Sequence, residues 1–133
     1  MIVFLDASAL IYMIESRPPF GNRVRAALAE LGAHADAAVS RLSWLECRIG
    51  PMRANDTALL SIYDGFFARP DLIWVELGRE VVELAAAIRA REGLRTPDAL
   101  QAASCLQLGP DHRFLTGDAA FRRVAGLNVK LLD

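Results

Sequence analysis

The sequence has few of the residues that mark disulfide-stapled, zinc-binding or membrane-spanning proteins. Its 133 residues include two cysteines and two histidines, which lack the spacing of a metal site and are too few for a disulfide framework. Its apolar runs are far shorter than the roughly 20 residues that cross a bilayer, and no basic leader precedes the first run. We therefore expect a cytoplasmic chain with no membrane span, in which Cys47 and Cys105 are buried thiols.

An excess of charge of one sign is also lacking. The chain has 15 basic and 16 acidic residues and a net charge of −1, so bulk electrostatics give no sign of nucleic-acid binding. Lys130 is the only lysine. Arginine binds phosphate bidentately, but the base composition of the gene is the simpler explanation of this arginine bias.

Apolar residues, by contrast, are abundant at 53% of the chain. A chain of this length is one domain by prior, and folding removes roughly two-thirds of its unfolded surface from water. The apolar content exceeds what an isolated soluble domain needs. We therefore expect an oligomer or a bound partner.

Short apolar runs alternate with helical patterns from one end of the chain to the other. The predicted strands cover residues 2–5, 37–40 (weakly), 72–75, 113–116 and 128–132. The predicted helices cover residues 7–15, 22–31, a stretch from 41 that Gly50-Pro51 kinks or ends, 56–68, 80–92, 96–108 and a short segment with Phe121 and Val124. This alternation predicts one α/β domain over residues 1–133, with a mostly parallel five-stranded sheet.

Asp6 directly follows the first strand, whose uninterrupted apolar run is typical of the centre of a parallel sheet. Ligands of open parallel sheets bind beyond the carboxyl ends of the strands, which is where Asp6 lies. Asp118 likewise follows a strand, although an N-cap aspartate would also occupy that position.

Two further acids lie on predicted helices. Asp98 falls in the first turn of a helix that Thr96 would cap, a position where the helix dipole alone stabilises an aspartate. Glu46 falls inside an apolar stripe with Leu42, Leu45 and Ile49, where an uncompensated charge costs several kcal/mol. A capping box running from Ser43 to Glu46 is an equally good explanation of that glutamate.

Taken together, Asp6, Glu46, Asp98 and Asp118 form what we call the acidic quartet. A parallel sheet gathers most of them at one edge, where like charges raise one another's pKa unless a cation joins them. Oxygen ligands without nearby histidine or thiolate favour Mg²⁺ or Mn²⁺ over zinc, and Mg²⁺ sites bind phosphate substrates. We expect His34 and His112 to lie on the surface. Five arginines are candidates for flanking a phosphate path: Arg17, Arg23, Arg25, Arg48 and Arg95.

Four stretches of the sequence together resemble PIN-domain ribonucleases, and most closely the VapC toxins of bacterial toxin–antitoxin pairs. They are the strand followed by Asp6-Ala7-Ser8-Ala9-Leu10, the acid at Glu46, residues 94–103 around Thr96-Pro97-Asp98, and residues 114–118 continuing through Phe121 to Leu127. Each stretch is weakly specific, but the set follows the family's order and spacing over nearly the whole chain.

The resemblance implies a three-layer α/β/α sandwich and a Mg²⁺- or Mn²⁺-dependent endoribonuclease. It assigns the acidic quartet to metal binding and catalysis, and Ser8 and Thr116 to supporting hydroxyls. It also implies a homodimer, an RNA substrate and a VapB-like antitoxin whose terminal segment lies in an apolar groove near the active site. Glu46 is the least secure member, because Gly50-Pro51 would bend its helix.

Four other functions compete with a toxin. A haloacid-dehalogenase-type phosphatase needs an aspartate where Ser8 stands, and a receiver domain needs a lysine that Lys130, inside the last strand, does not supply. A PIN nuclease of RNA maturation and a catalytically silent PIN scaffold that binds RNA or a partner remain open alternatives.

Overall fold

The computed structural model describes residues 1–32 and 34–132. Over these residues the chain forms five strands, six α-helices and one 3₁₀ helix. In chain order they are β1 (Ile2–Leu5), α1 (Ala7–Ile14), α2 (Phe20–Leu31), β2 (Asp36–Ser40), α3 (Arg41–Arg53), α4 (Thr57–Phe67), β3 (Ile73–Val75), α5 (Arg79–Glu92), α6 (Thr96–Leu106), β4 (His112–Thr116), the 3₁₀ helix (Ala119–Arg123) and β5 (Val129–Leu131).

The five strands form one sheet in the order β3-β2-β1-β4-β5, and every neighbouring pair is parallel. The predicted five-stranded sheet is therefore confirmed, and it is parallel throughout. β1 is the central strand, and Phe4 within it is fully buried. The carboxyl ends of all five strands consequently lie at one edge.

Helices cover both faces of the sheet, which confirms the predicted three-layer α/β/α sandwich. On one face, Phe4 and Phe114 pack into a cluster with α5 and α6. On the other face, Val3 and Leu5 pack into a second cluster with α1, α2, α3 and α4. Successive side chains of a strand point to opposite faces, so the apolar run of β1 supplies both clusters. α5 and α6 pack against each other within one layer.

Two local predictions need correction. Gly50-Pro51 does not end α3, which continues through Pro51 to Arg53, because a proline this close to the end of a helix removes only one hydrogen bond of the last turns. His112 is buried rather than on the surface. Its Nδ1 lies 2.7 Å from the carbonyl oxygen of Gly109 and its Nε2 accepts a hydrogen bond from the amide of Asn128 at 3.1 Å, so a neutral imidazole is fully paired there.

The remaining surface and core predictions concern the cysteines, His34 and membrane spans. Cys47 and Cys105 are buried free thiols, as predicted, and His34 is exposed. Within the described residues, none of the helices combines the length and the hydrophobicity that a bilayer crossing requires.

Candidate active site

Asp6 is the most deeply placed member of the acidic quartet. It links β1 to α1 as the N-cap residue, and the residue is 4% exposed. Oδ1 accepts hydrogen bonds from the Ser8 hydroxyl at 2.7 Å and the Ala9 amide at 2.9 Å, while Oδ2 accepts one from the Thr116 hydroxyl at 2.6 Å. Burial nevertheless raises the pKa of Asp6 to about 6, and the negative charge of Glu46 adds to that rise.

The hydroxyls of Ser8 and Thr116 also hold the loop that follows β4. Ser8 Oγ accepts a hydrogen bond from the Gly117 amide at 3.3 Å, and Thr116 Oγ1 accepts one from the Asp118 amide at 3.0 Å. A Cβ atom at Gly117 would lie 2.9 Å from the Tyr12 ring, so a larger residue here would displace that ring. The two hydroxyls therefore tie Asp6 to the backbone that carries Asp118.

Asp118 and Asp98 lie at the rim, and both are also helix-start residues. Asp118 is the exposed N-cap residue of the 3₁₀ helix, and its Oδ1 accepts a hydrogen bond from the Ala120 amide at 2.9 Å. Asp98 lies in the first turn of α6, whose N-cap residue is Arg95 rather than the predicted Thr96. Asp98 Oδ2 accepts a hydrogen bond from Arg95 Nε at 3.1 Å. Both aspartates therefore stabilise the start of a helix and also lie in the cavity described below.

Glu46 does not cap a helix. The N-cap residue of α3 is Ser40, whose hydroxyl accepts a hydrogen bond from the Leu42 amide at 3.1 Å, so the capping box proposed for Ser43 is wrong. Glu46 is half-buried, and its Oε1 accepts a hydrogen bond from Gln101 Nε2 at 3.0 Å. The pKa of Glu46 lies above its ordinary value, chiefly because of burial, and the charge of Asp98 adds to the rise. The hydrogen bond from Gln101 and the charge of Arg95 act in the opposite direction.

The apolar stripe around Glu46 faces outward rather than into the core. Leu45 is 50% exposed and Ile49 is 42% exposed. The buried face of α3 consists instead of Ser43, Cys47 and Pro51. Periodicity shows that apolar residues share a helix face, but it does not show which face packs. Glu46 therefore avoids the full cost of a charge inside an apolar core.

All four members of the acidic quartet line one cavity of about 290 Å³ at the carboxyl edge of the sheet. Arg95 is the one basic residue among those that line it. Gln101, to which the sequence assigned no role, also lines it. The complete lining is Asp6, Ala7, Ser8, Ile11, Glu46, Arg95, Asp98, Gln101, Asp118 and Phe121.

The donor set of this cavity suits a hard divalent ion, because carboxylate oxygens are the ligands such ions prefer and one guanidinium does not balance four carboxylates. The side chains of these donors lie farther apart than the ligands of a closed metal centre do. Across residues 1–32 and 34–132, no three carboxylate, imidazole or thiol groups converge closely enough to coordinate one ion as they stand. The electrostatics and chemistry of the donors fit a cation, whereas the present rotamers do not enclose one.

The chain is similar to one known protein family and to several solved structures. The family model of the PIN domain matches residues 3–127. No curated protein matches the sequence significantly. Similar solved structures include a chain of VapBC2 from Rickettsia felis bound to a promoter DNA fragment (TM-score 0.80, 19% identity, 100% of both chains) and a chain of VapBC-1 from nontypeable Haemophilus influenzae (TM-score 0.76, 17% identity, 99% of this chain and 98% of that one). A toxin–antitoxin complex from Klebsiella pneumoniae is similar at a TM-score of 0.72 and 20% identity, over 98% of both chains.

Proposed function

Because this chain belongs to the PIN domain family, we propose that it is a metal-dependent endoribonuclease and the toxin of a VapBC-type toxin–antitoxin pair. The observation that carries the proposal is the cavity that the acidic quartet lines, with its carboxylates contributed by four separate segments of the chain. Carboxylates from distant segments that share one cavity repel one another; the pKa of Asp6 is raised chiefly by burial, and the charge of Glu46 raises it further. A divalent cation removes it.

Asp6, Glu46, Asp98 and Asp118 are the residues that would hold Mg²⁺ or Mn²⁺. Such an ion, when bound, lowers the pKa of a water and neutralises the leaving oxygen of a phosphodiester. The chain's own residues supply orientation: Ser8 and Thr116 fix both oxygens of Asp6. Arg95 is exposed at the mouth of the cavity, where its guanidinium suits a backbone phosphate of RNA.

The proposed partners are an RNA substrate, a VapB-like antitoxin and a second copy of the chain. Leu45, Ile49 and Met52 form an exposed apolar stripe on the helix that carries Glu46, and we call it the α3 stripe. Apolar surface of this kind is typical of protein–protein contact sites. The similar chains from Rickettsia felis and Haemophilus influenzae were solved as VapBC complexes, which supports an antitoxin as the occupant.

A catalytically silent PIN scaffold that binds RNA or a partner is the second candidate. It is favoured by the absence, among the described residues, of three carboxylates that already converge on one point. The two functions differ in one measurement, which is the appearance of new RNA ends.

The deciding experiment incubates the purified chain with total RNA in Mg²⁺, in Mn²⁺ or in EDTA, and maps the cleavage ends. We expect cleavage with either metal and none in EDTA. Asp98→Asn should lower the rate by about 10³-fold or more, because it removes a charge without changing volume. Its fold, followed by circular dichroism, should remain unchanged.

Two results would contradict the proposal. Intact RNA at every metal concentration, together with retained RNA binding, would favour the silent scaffold. Full cleavage by Asp98→Asn in added metal would show that the acidic quartet is not the active site.

A further inference from the structure

Gln101 joins two helices across the candidate active site. It lies on α6, is 3% exposed, and its Nε2 donates hydrogen bonds to two acceptors on α3. These are Ser43 Oγ at 2.9 Å and Glu46 Oε1 at 3.0 Å. One amide nitrogen therefore fixes the position of α6 relative to the only side-chain carboxylate that α3 contributes to the cavity.

The other end of the same amide is unsatisfied. Among the described residues, Gln101 Oε1 is the buried side-chain polar atom that has no hydrogen-bond partner. A buried acceptor without a donor loses its hydration and gains nothing in return, a cost that an apolar side chain at this position would not carry. Packing alone therefore does not explain a glutamine here, whereas the two hydrogen bonds that its nitrogen donates to Ser43 and Glu46 do.

Glu46 depends on that nitrogen for its orientation. The described contacts give its carboxylate no other hydrogen-bond donor, and both of its neighbours along the exposed side of α3, Leu45 and Ile49, are open to solvent. A glutamate side chain has three rotatable bonds and gains entropy by turning toward water. Without Gln101 it would leave the cavity for part of the time.

We propose that Gln101 is a positioning residue that holds the Glu46 carboxylate in the cavity, ready to act with the rest of the acidic quartet. This inference rests on the proposed function and deepens it. Partners that orient a metal-binding carboxylate typically change metal affinity or activity by about 10–100-fold when they are removed. We place Gln101 in this class because its amide nitrogen contacts Glu46 and Ser43.

The test compares Gln101→Leu with Ser104→Ala. Ser104 is a matched control, because it is also buried on α6 and its hydroxyl contacts Ser40 Oγ at 3.2 Å, away from Glu46. We expect Gln101→Leu to lower kcat for RNA cleavage by about 10–100-fold with little change in KM, and to weaken Mn²⁺ binding measured by calorimetry about 10-fold. Ser104→Ala should leave both near the wild-type values.

A background variant separates positioning from a purely structural role. In Glu46→Gln, the added Gln101→Leu change should alter kcat and Mn²⁺ affinity by no more than about 2-fold, because residues that act as a unit are not additive. A loss that persists at full size in this background would overturn the inference.

Folding defects are handled by a second variant. Gln101→Leu leaves the buried Ser43 hydroxyl without its hydrogen-bond partner. The double variant Ser43→Ala/Gln101→Leu also removes that hydroxyl, so two apolar side chains face each other and the protein should unfold at or above the wild-type temperature. Its kcat and Mn²⁺ affinity should stay as low as those of the single variant. Recovery of both along with stability would show that Gln101 acts through folding alone.

The outcomes also separate this inference from the proposed function. A wild-type chain that binds Mn²⁺ but cleaves no RNA would refute the nuclease, while the Mn²⁺ measurements would still decide the role of Gln101. A wild-type chain that cleaves RNA, with Gln101→Leu equally active and equally able to bind Mn²⁺, would refute only the positioning role. A chain that neither binds Mn²⁺ nor cleaves RNA would overturn both.

Discussion

Two helices of nearly equal length, α3 and α5, lie on opposite faces of the sheet and use the same spacing of apolar residues in opposite ways. On α5, Val81, Ala85 and Ile88 recur at i, i+4 and i+7 and are buried against the sheet. On α3, the residues of the α3 stripe recur at the same intervals and are exposed. The equivalent spacing therefore forms a core on one helix and an open surface on the other.

Their charged residues differ in the same way. On α5, Arg79 and Glu83 pair with each other in solvent at 2.7 Å, where an ion pair contributes little to stability. On α3, Glu46 is half-buried against Gln101 and faces the other carboxylates of the cavity. A helix that only supports a fold keeps its charges in water, whereas α3 holds a carboxylate where its electrostatics are unfavourable.

The largest effect should come from neutralising one glutamate on each helix. Glu46→Gln should lower RNA cleavage by about 10³-fold, which corresponds to about 4 kcal/mol of transition-state stabilisation, because it removes one charge from the acidic quartet. Glu83→Gln should leave the rate near wild type. Rates are compared at saturating Mn²⁺ on one mapped RNA substrate.

A large loss in Glu83→Gln would mean that the catalytic face has been misplaced. Equal activity of both variants and the wild type would remove Glu46 from the site and leave the contrast between the helices one of packing alone.

The second effect concerns the pH dependence of stability. The folded pKa of Asp6 is about 6, above its ordinary value of 3.8, so the folded chain binds more protons than the unfolded chain between these values. The stabilisation present below about pH 4 is then lost as the pH rises to about 6, a change of about 3 kcal/mol in the free energy of unfolding. Urea titrations in EDTA should show this decline for the wild type, and Asp6→Asn should make it smaller by the contribution of Asp6, leaving the contribution of Glu46, whose pKa is also raised.

The same titrations connect Asp6 to the two helices. The charge of Glu46 contributes to the raised pKa of Asp6, so Glu46→Gln should move the decline to lower pH, while Glu83→Gln should not shift it. An identical pH profile for the wild type and Asp6→Asn would show that burial does not strain this carboxylate.

Much of the fold follows from the sequence because its signals are local. The apolar run of β1, the stripe of α5 and the glycine that ends α5 each specify their own element, and parallel order follows from the alternation of strands and helices. The direction in which α3 faces is not a local property. It depends on which of two faces the rest of the molecule covers, so the sequence places Leu45 and Ile49 on one face of α3 without showing that this face is exposed.

The site divides along the same line. Asp6 and Asp118 are visible from the sequence because Asp6 directly follows β1 and Asp118 lies two residues after β4, and the parallel sheet brings strand ends together. Gln101 is separated from Glu46 by 55 residues. Nothing in the sequence around it marks it as a site residue, and its role becomes visible only when the structure shows α3 and α6 in contact. The burial of His112 could not be predicted for the same reason, since its two backbone partners come from different loops.

The smallest effect should separate the two helices as binding surfaces. Ile49 on α3 and Val82 on α5 are similarly exposed, at 42% and 50%, so an aspartate at either position should leave the fold intact. Ile49→Asp should weaken binding of a VapB-like antitoxin, coexpressed from a short adjacent reading frame, by about 30-fold, or about 2 kcal/mol, because a charge replaces an apolar contact at the centre of the α3 stripe. Val82→Asp should bind as the wild type does in calorimetry. Equal weakening by both variants would mean that the partner covers both helix layers. An effect of Val82→Asp alone would move the docking surface to the groove that Val82 of α5 and Leu100 of α6 line.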